Sequence, residues 1–147
     1  MRQPSLVSAR FYDSELVPPE IFNSELLLPT WYINKVVLVV LEKLKDRFGA
    51  ITVNNWHAGG QFNYCGYRPQ TCTTGAVFSM HRLALAADTH YVGHTPEEVR
   101  QDIRDHFIDI YKPLGLTTIE SNCPEWVHFD ARWMGYDLTK VFEVPFQ

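Results

Sequence analysis

The sequence has no excess of positive charge. Its 13 lysines and arginines stand against 17 aspartates and glutamates, a net charge of −4 at neutral pH. That excludes the basic stripe with which proteins hold a phosphate backbone, so nucleic acid is not an expected partner. It also lacks an apolar run of the ~18 residues that a membrane-spanning helix needs. Val36 to Leu41 is only a short block, and no membrane insertion is expected. No uninterrupted apolar stretch follows Met1-Arg2-Gln3-Pro4-Ser5, so no secretory signal is expected either. Cysteines are few and odd in number: Cys65, Cys72 and Cys123. An odd count argues against a complete disulfide framework. A bridge between Cys65 and Cys72, which flank Arg68, stays open beside the plainer expectation of three reduced thiols. There is no internal repeat and no low-complexity segment, and 147 residues suffice for one domain with a real core.

What is present reads as an α+β chain. Residues 1–29 carry Pro4, Pro18, Pro19 and Pro29 and read as an irregular wrap, with Phe11, Tyr12, Ile21, Phe22 and Leu26 to Leu28 tucked in. Residues 30–147 read as a single domain. Thr30 caps a helix over Trp31–Phe48, with Val36, Val37, Val40, Leu41, Leu44 and Phe48 on its apolar stripe and Gly49 as its stop. Ile51–Val53 is a short strand, and the glycine-bearing stretch from Asn54 to Arg68 is a loop. Ala86–Val92 is a strand. Thr95-Pro96-Glu97-Glu98 is a capping box opening a helix to about Tyr111, with Val99, Ile103, Phe107 and Ile110 inward. Strands follow at Thr117–Glu120, Glu125–Asp130 and Lys140–Val144. The expectation is two main helices packed on a small, mainly antiparallel sheet.

The chemistry centres on Ser79 to Asp88. His81 and Asp88 are of metal-ligating types, seven residues apart and separated by small and apolar residues, Leu83 to Ala87, which would let the backbone come close to an ion. Imidazole with carboxylate suits Zn²⁺ and leaves room for a third protein ligand and a water. That ligand is sought in Glu125-Trp126-Val127-His128-Phe129-Asp130. Alternation turns Val127 and Phe129 to the core and Trp126, His128 and Asp130 to the other face. Pro124 marks the strand's start, so the chain can turn at Glu125 and aim its carboxylate at the same site.

Three segments carry a resemblance. Ser79-x-His81-x-x-Ala84-x-Ala86-x-Asp88 resembles the S-x-H-x-x-G-x-A-x-D motif of the M15 family of zinc D-Ala-D-Ala carboxypeptidases and related phage endolysins. Glu125-Trp126-Val127-His128 resembles that family's E-x-x-H, and Gly66-Tyr67-Arg68-Pro69 its arginine-bearing G-[YF]-R-P segment. The pieces stand in the family's order between residues 66 and 130. The departure is Ala84 where the family usually has glycine; alanine resists φ > 0, which puts the geometry of that loop in question.

The resemblance implies a hedgehog/D-Ala-D-Ala-peptidase-like fold and one Zn²⁺ held by His81, Asp88 and His128. It makes Glu125 the general base and then acid, and Arg68 the group that polarises the carbonyl and steadies the oxyanion. Tyr67 and Trp126 line the substrate cleft, Ser79 either binds a substrate carboxylate or holds the His81 loop, and Asp130 orients a ligand from behind. The implied partner is a peptidoglycan stem peptide. The implied setting is a chain made in the cytoplasm that reaches the cell wall after phage-type release or as part of a phage particle. Two other readings stand beside this one. A non-catalytic module would keep zinc as a staple or bind wall peptide without cutting it. A thiol hydrolase lacks a cysteine paired with histidine in any signature.

Overall fold

The structure, a computed structural model, describes residues 2–146. Its frame is a five-stranded mixed sheet with the order β1-β2-β4-β3-β5, formed by β1 (Ile51–Thr52), β2 (Ala86–Tyr91), β3 (Thr118–Glu120), β4 (Val127–Asp130) and β5 (Phe142–Val144). Three of the four pairings are antiparallel, and β3 with β5 is parallel. The parallel edge departs from a plain meander because the chain crosses from β4 back past β3 before entering β5.

A short helix, Pro19–Phe22 (α1), precedes the two main ones, and one face of the sheet carries the core. Val127 and Phe129 of β4 and Ile119 of β3 are wholly buried against Val40, Leu41 and Leu44 of the helix Lys35–Phe48 (α2), and against Val99 and Ile103 of the helix Pro96–Asp105 (α3). Burying each such side chain stabilises the fold by about 1.5–3 kcal/mol. The α2 stripe holds one surprise: Leu38 is buried and Val36 only partly so. The helix also starts later than the spacing predicts. Pro29–Tyr32 forms a separate 3₁₀ turn, and Asn34, not Thr30, caps α2 by accepting from the Val36 N–H at 2.8 Å.

The Thr95 capping box forms as read: Thr95 Oγ1 accepts from Glu98 N–H and the Glu98 carboxylate from Thr95 N–H. The helix does not run evenly to Tyr111, however. A π turn over Phe107–Tyr111 follows α3. It leaves Ile108 exposed and Ile110 only partly covered, and it carries Tyr111 into the core, where its hydroxyl donates to Asp102 Oδ2 at 2.6 Å.

Residues 2–29 make a bridge between Leu6 and Tyr12 and short turns at Asp13–Glu15 and Pro19–Phe22. Phe11 and Leu16 enter the main core, and Val17, Ile21 and Phe22 build a second cluster with Tyr67 and Trp56. Leu26 and Leu28 are exposed, as is much of Tyr12, so those three are not tucked in as expected. The Leu16 carbonyl accepts from Tyr67 N–H at 2.8 Å. A side chain at Gly66 would collide with that carbonyl at 2.2 Å, which is why the segment carries glycine there. Among the described residues no helix is long and apolar enough to cross a membrane.

Candidate metal centre and cleft

The sheet's other face carries the polar residues. Antiparallel pairing of β2 with β4 sets Asp88 directly opposite His128, so both side chains stand side by side on that face. His81 arrives from the 3₁₀ turn Met80–Leu83. Ser79 opens this turn, with Oγ accepting from His81 N–H at 3.3 Å. Ala84 closes it at φ 58°, the one non-glycine left-handed residue among those described. The alanine therefore adopts the glycine conformation, at an expected cost of about 1–2 kcal/mol.

The three ligand atoms converge. His81 Nε2 lies 3.2 Å from Asp88 Oδ1 and 3.2 Å from His128 Nδ1, and His128 Nδ1 lies 2.8 Å from Asp88 Oδ1. All three residues are buried. Ligands about 2.0–2.2 Å from a tetrahedral ion stand roughly 3.3–3.5 Å apart, so this triangle is nearly one face of such a polyhedron. The outer hydrogen bonds settle which atoms carry lone pairs. His81 Nδ1–H donates to the Gly66 carbonyl at 2.7 Å, leaving Nε2 as an acceptor that faces another acceptor, Asp88 Oδ1. His128 Nε2–H donates to Asp130 Oδ2 at 3.2 Å, which directs Nδ1 inward. At most one proton, on His128 Nδ1, is shared among three electron-pair donors. The buried His-Asp-His group can therefore hold a metal ion.

The electrostatics follow. Burial opposes charge on His128, but Asp130 and Asp88 outweigh it and push its pKa to about 9, so without metal this ring keeps the proton. Burial holds His81 below its ordinary value, helped by His128 and Arg68 against Asp88. For Asp88 the two histidines overcome burial and lower the pKa. Asp130 goes down to about 2, because Arg132 and His128 outweigh its burial. Arg132 grips Asp130 with both Nε and Nη2, so the carboxylate behind His128 is itself fixed.

Arg68 backs the remaining ligand. Its Nη2–H donates to Asp88 Oδ2 at 2.8 Å and its Nε–H to the Tyr64 carbonyl at 2.6 Å. A Cβ at Gly75 would strike Arg68 Nη1 at 2.3 Å, so that glycine lets the backbone close over the guanidinium.

A cleft of about 1000 Å³ opens over the centre. One side is aromatic: Phe62 stacks on His90 at 4.0 Å, His90 tilts against Trp126, and Trp126 meets Phe146 edge-on at 5.4 Å. Ser79, Trp126, Arg68 and the three ligands line the cleft. Asp130 stands behind His128, and Tyr67 packs on Tyr32 at 4.7 Å, away from the cleft. Glu125 is exposed on the turn before β4 and is not among the lining residues. The carboxylate outside the His-Asp-His group that does line the cleft is Glu120, at the end of β3. Its Oε2 is buried without a hydrogen-bond partner. Burial raises its pKa, with Asp88 and Asp130 adding to the rise and His128 and Arg68 opposing it. Strand alternation was the signal for Glu120: Ile119 faces the core, so Thr118 and Glu120 share the face of Asp130 and His128.

The three cysteines are free thiols among the described residues. Cys65 lines the cleft 3.7 Å from His90, and burial with the nearby Asp88 pushes its thiol up to about 12, far from a reactive thiolate. No protein-family model, curated protein or solved structure matches this chain.

Proposed function

We propose that the chain is a zinc-dependent hydrolase of a peptide bond in peptidoglycan stem peptides, of the M15 kind. The observation that carries the reading is the convergence of His81 Nε2, Asp88 Oδ1 and His128 Nδ1 beneath an open cleft, beside a carboxylate with an unpaired oxygen. Two imidazoles and one carboxylate are a donor set suited to Zn²⁺ with an open position, as catalysis needs. Bound there, Zn²⁺ supplies Lewis acidity to a water and to the substrate carbonyl.

The chain's own residues do the rest. Glu120 Oε2 takes a proton from the attacking water and returns it to the leaving amine. Its burial raises its pKa, which makes it a stronger proton acceptor than an exposed carboxylate. Arg68 holds Asp88 in place through Oδ2, and Asp130, clamped by Arg132, holds the His128 ring. Trp126, Phe62 and Phe146 flank the substrate and exclude water from one side. Glu125 would have to swing in from the turn surface to share this work. The non-catalytic alternative, a zinc-bearing wall-peptide-binding or phage structural module, would have no use for an unpaired carboxylate in the cleft.

The test is mass spectrometry of purified muropeptides incubated with the protein, with and without chelator. Chelator-sensitive release of a stem-peptide fragment is the expected result. Zinc binding with every stem peptide left intact would favour the module.

A further inference from the structure

A second, smaller cavity of about 330 Å³ lies beside the cleft, and Arg132 lines both. It is built on the segment that leaves β4 after Asp130. Trp133 and Tyr136 stand on its rim, 92% and 63% exposed, together with Lys112, Thr117 and Asp137. The two rings line one cavity, and it is aromatic faces grouped on one rim, rather than a lone exposed side chain, that mark an interaction site. Gly135 turns the chain at φ 76° between the two rings. The rim is polar as well as aromatic. Lys112 Nζ bonds Asp137 Oδ1 at 2.7 Å and the Leu138 carbonyl at 2.7 Å, which fixes the charged pair next to the rings.

Flat aromatic faces beside a fixed set of polar groups suit a pyranose ring, which offers an apolar C–H face and a rim of hydroxyls. A protein partner's apolar core is a poorer match, because Lys112 and Asp137 would have to be desolvated as a pair. We infer that the Trp133–Tyr136 cavity is a saccharide subsite that takes a sugar of the glycan strand bearing the peptide held in the cleft. The inference rests on the proposed peptidoglycan reading, and Arg132 provides the continuity between the two sites.

The experiment titrates the zinc-loaded protein with chitotetraose and with peptide-free glycan strands, following amide and indole NMR shifts. Saturable shifts at Trp133, Tyr136 and Arg132 are expected. Trp133→Ala should weaken binding at least about tenfold and Tyr136→Ala several-fold, because stacking is lost. Metal content and melting temperature should stay unchanged in both, since neither ring is buried. Cleavage of glycan-linked stem peptide should fall in Trp133→Ala through KM, while cleavage of free stem peptide is unaffected. No saccharide shift, or a shift indifferent to Trp133→Ala, would overturn the inference. Self-association lost in Trp133→Ala would overturn it in favour of a protein contact. Glycan binding that survives alongside complete inertness towards stem peptides would leave the subsite standing and remove the peptidase reading.

Discussion

The floor of the cleft and its wall are built differently. The floor is β2 and β4, where sheet register sets Asp88 across from His128, and each ligand is held from behind by Arg68, Gly66 or Asp130. The wall, residues 69–79, has no strand and no α-helix. Much of it hangs on one side chain: Arg82 donates from Nη1 to the Pro69 and Gln70 carbonyls, from Nη2 to Cys72 and from Nε to Ala76. A backbone ladder, with a buried hydrogen bond for His81, fixes the atoms that on the proposed reading meet an ion within tenths of an ångström. A side-chain clamp suffices for a surface that need only shape a substrate.

The contrast is broken most severely by removing a ligand. His81→Ala and His128→Ala should lose stoichiometric zinc and all turnover. One zinc per chain by elemental analysis in either variant would show that the floor is not the metal site. The next test compares two carboxylates. Glu120→Gln should keep zinc and slow hydrolysis at least about a hundredfold, whereas Glu125→Gln, on the exposed turn, should stay within a few-fold of wild type. The reverse ranking in kcat would return the proton-transfer role to the residue that the E-x-x-H resemblance implies.

Two arginines then separate floor from wall. Arg68→Ala should lower zinc affinity about 10–100-fold, as loss of a ligand's supporting partner does. Arg82→Met should leave zinc affinity alone and speed proteolysis between residues 70 and 78. Equal zinc affinities in competition titrations of the two variants would erase the distinction.

The floor also has a pH signature. Without metal, His128 holds a proton with a pKa of about 9, so zinc must displace it. Apparent affinity should therefore fall up to about tenfold for each unit that pH drops below 9. Stability of the metal-free fold follows the same groups. The His128 contribution is full below its ordinary 6.5 and is lost as pH rises through about 9. The Asp130 contribution is present above 3.8 and is lost as pH falls through about 2. Competition titrations and thermal melts across pH check both limbs; a flat zinc profile would mean that His128 is neutral before metal arrives. The smallest effect belongs to Ala84→Gly, which relieves the left-handed alanine at some cost in chain entropy and should stabilise by about 0.5–1 kcal/mol in denaturant titration.

Local rules placed much of this protein in advance. The capping box at Thr95, the apolar stripe of α2 and the alternation of β4 are short-range consequences of side-chain chemistry, and they could be read from residues within a turn or a strand of one another. So could the candidacy of His81, Asp88 and His128, whose residue types limit what else they could bind. Other features were decided only when distant segments met. The π turn at Phe107–Tyr111 depended on a place for Tyr111 in the core. Glu120 became the cleft carboxylate, and Arg68 the partner of Asp88, because strand register and the closure of Gly75 over the guanidinium put them there. Sequence spacing constrains neighbours along the chain; which buried oxygen is left without a partner depends on every segment that packs around it.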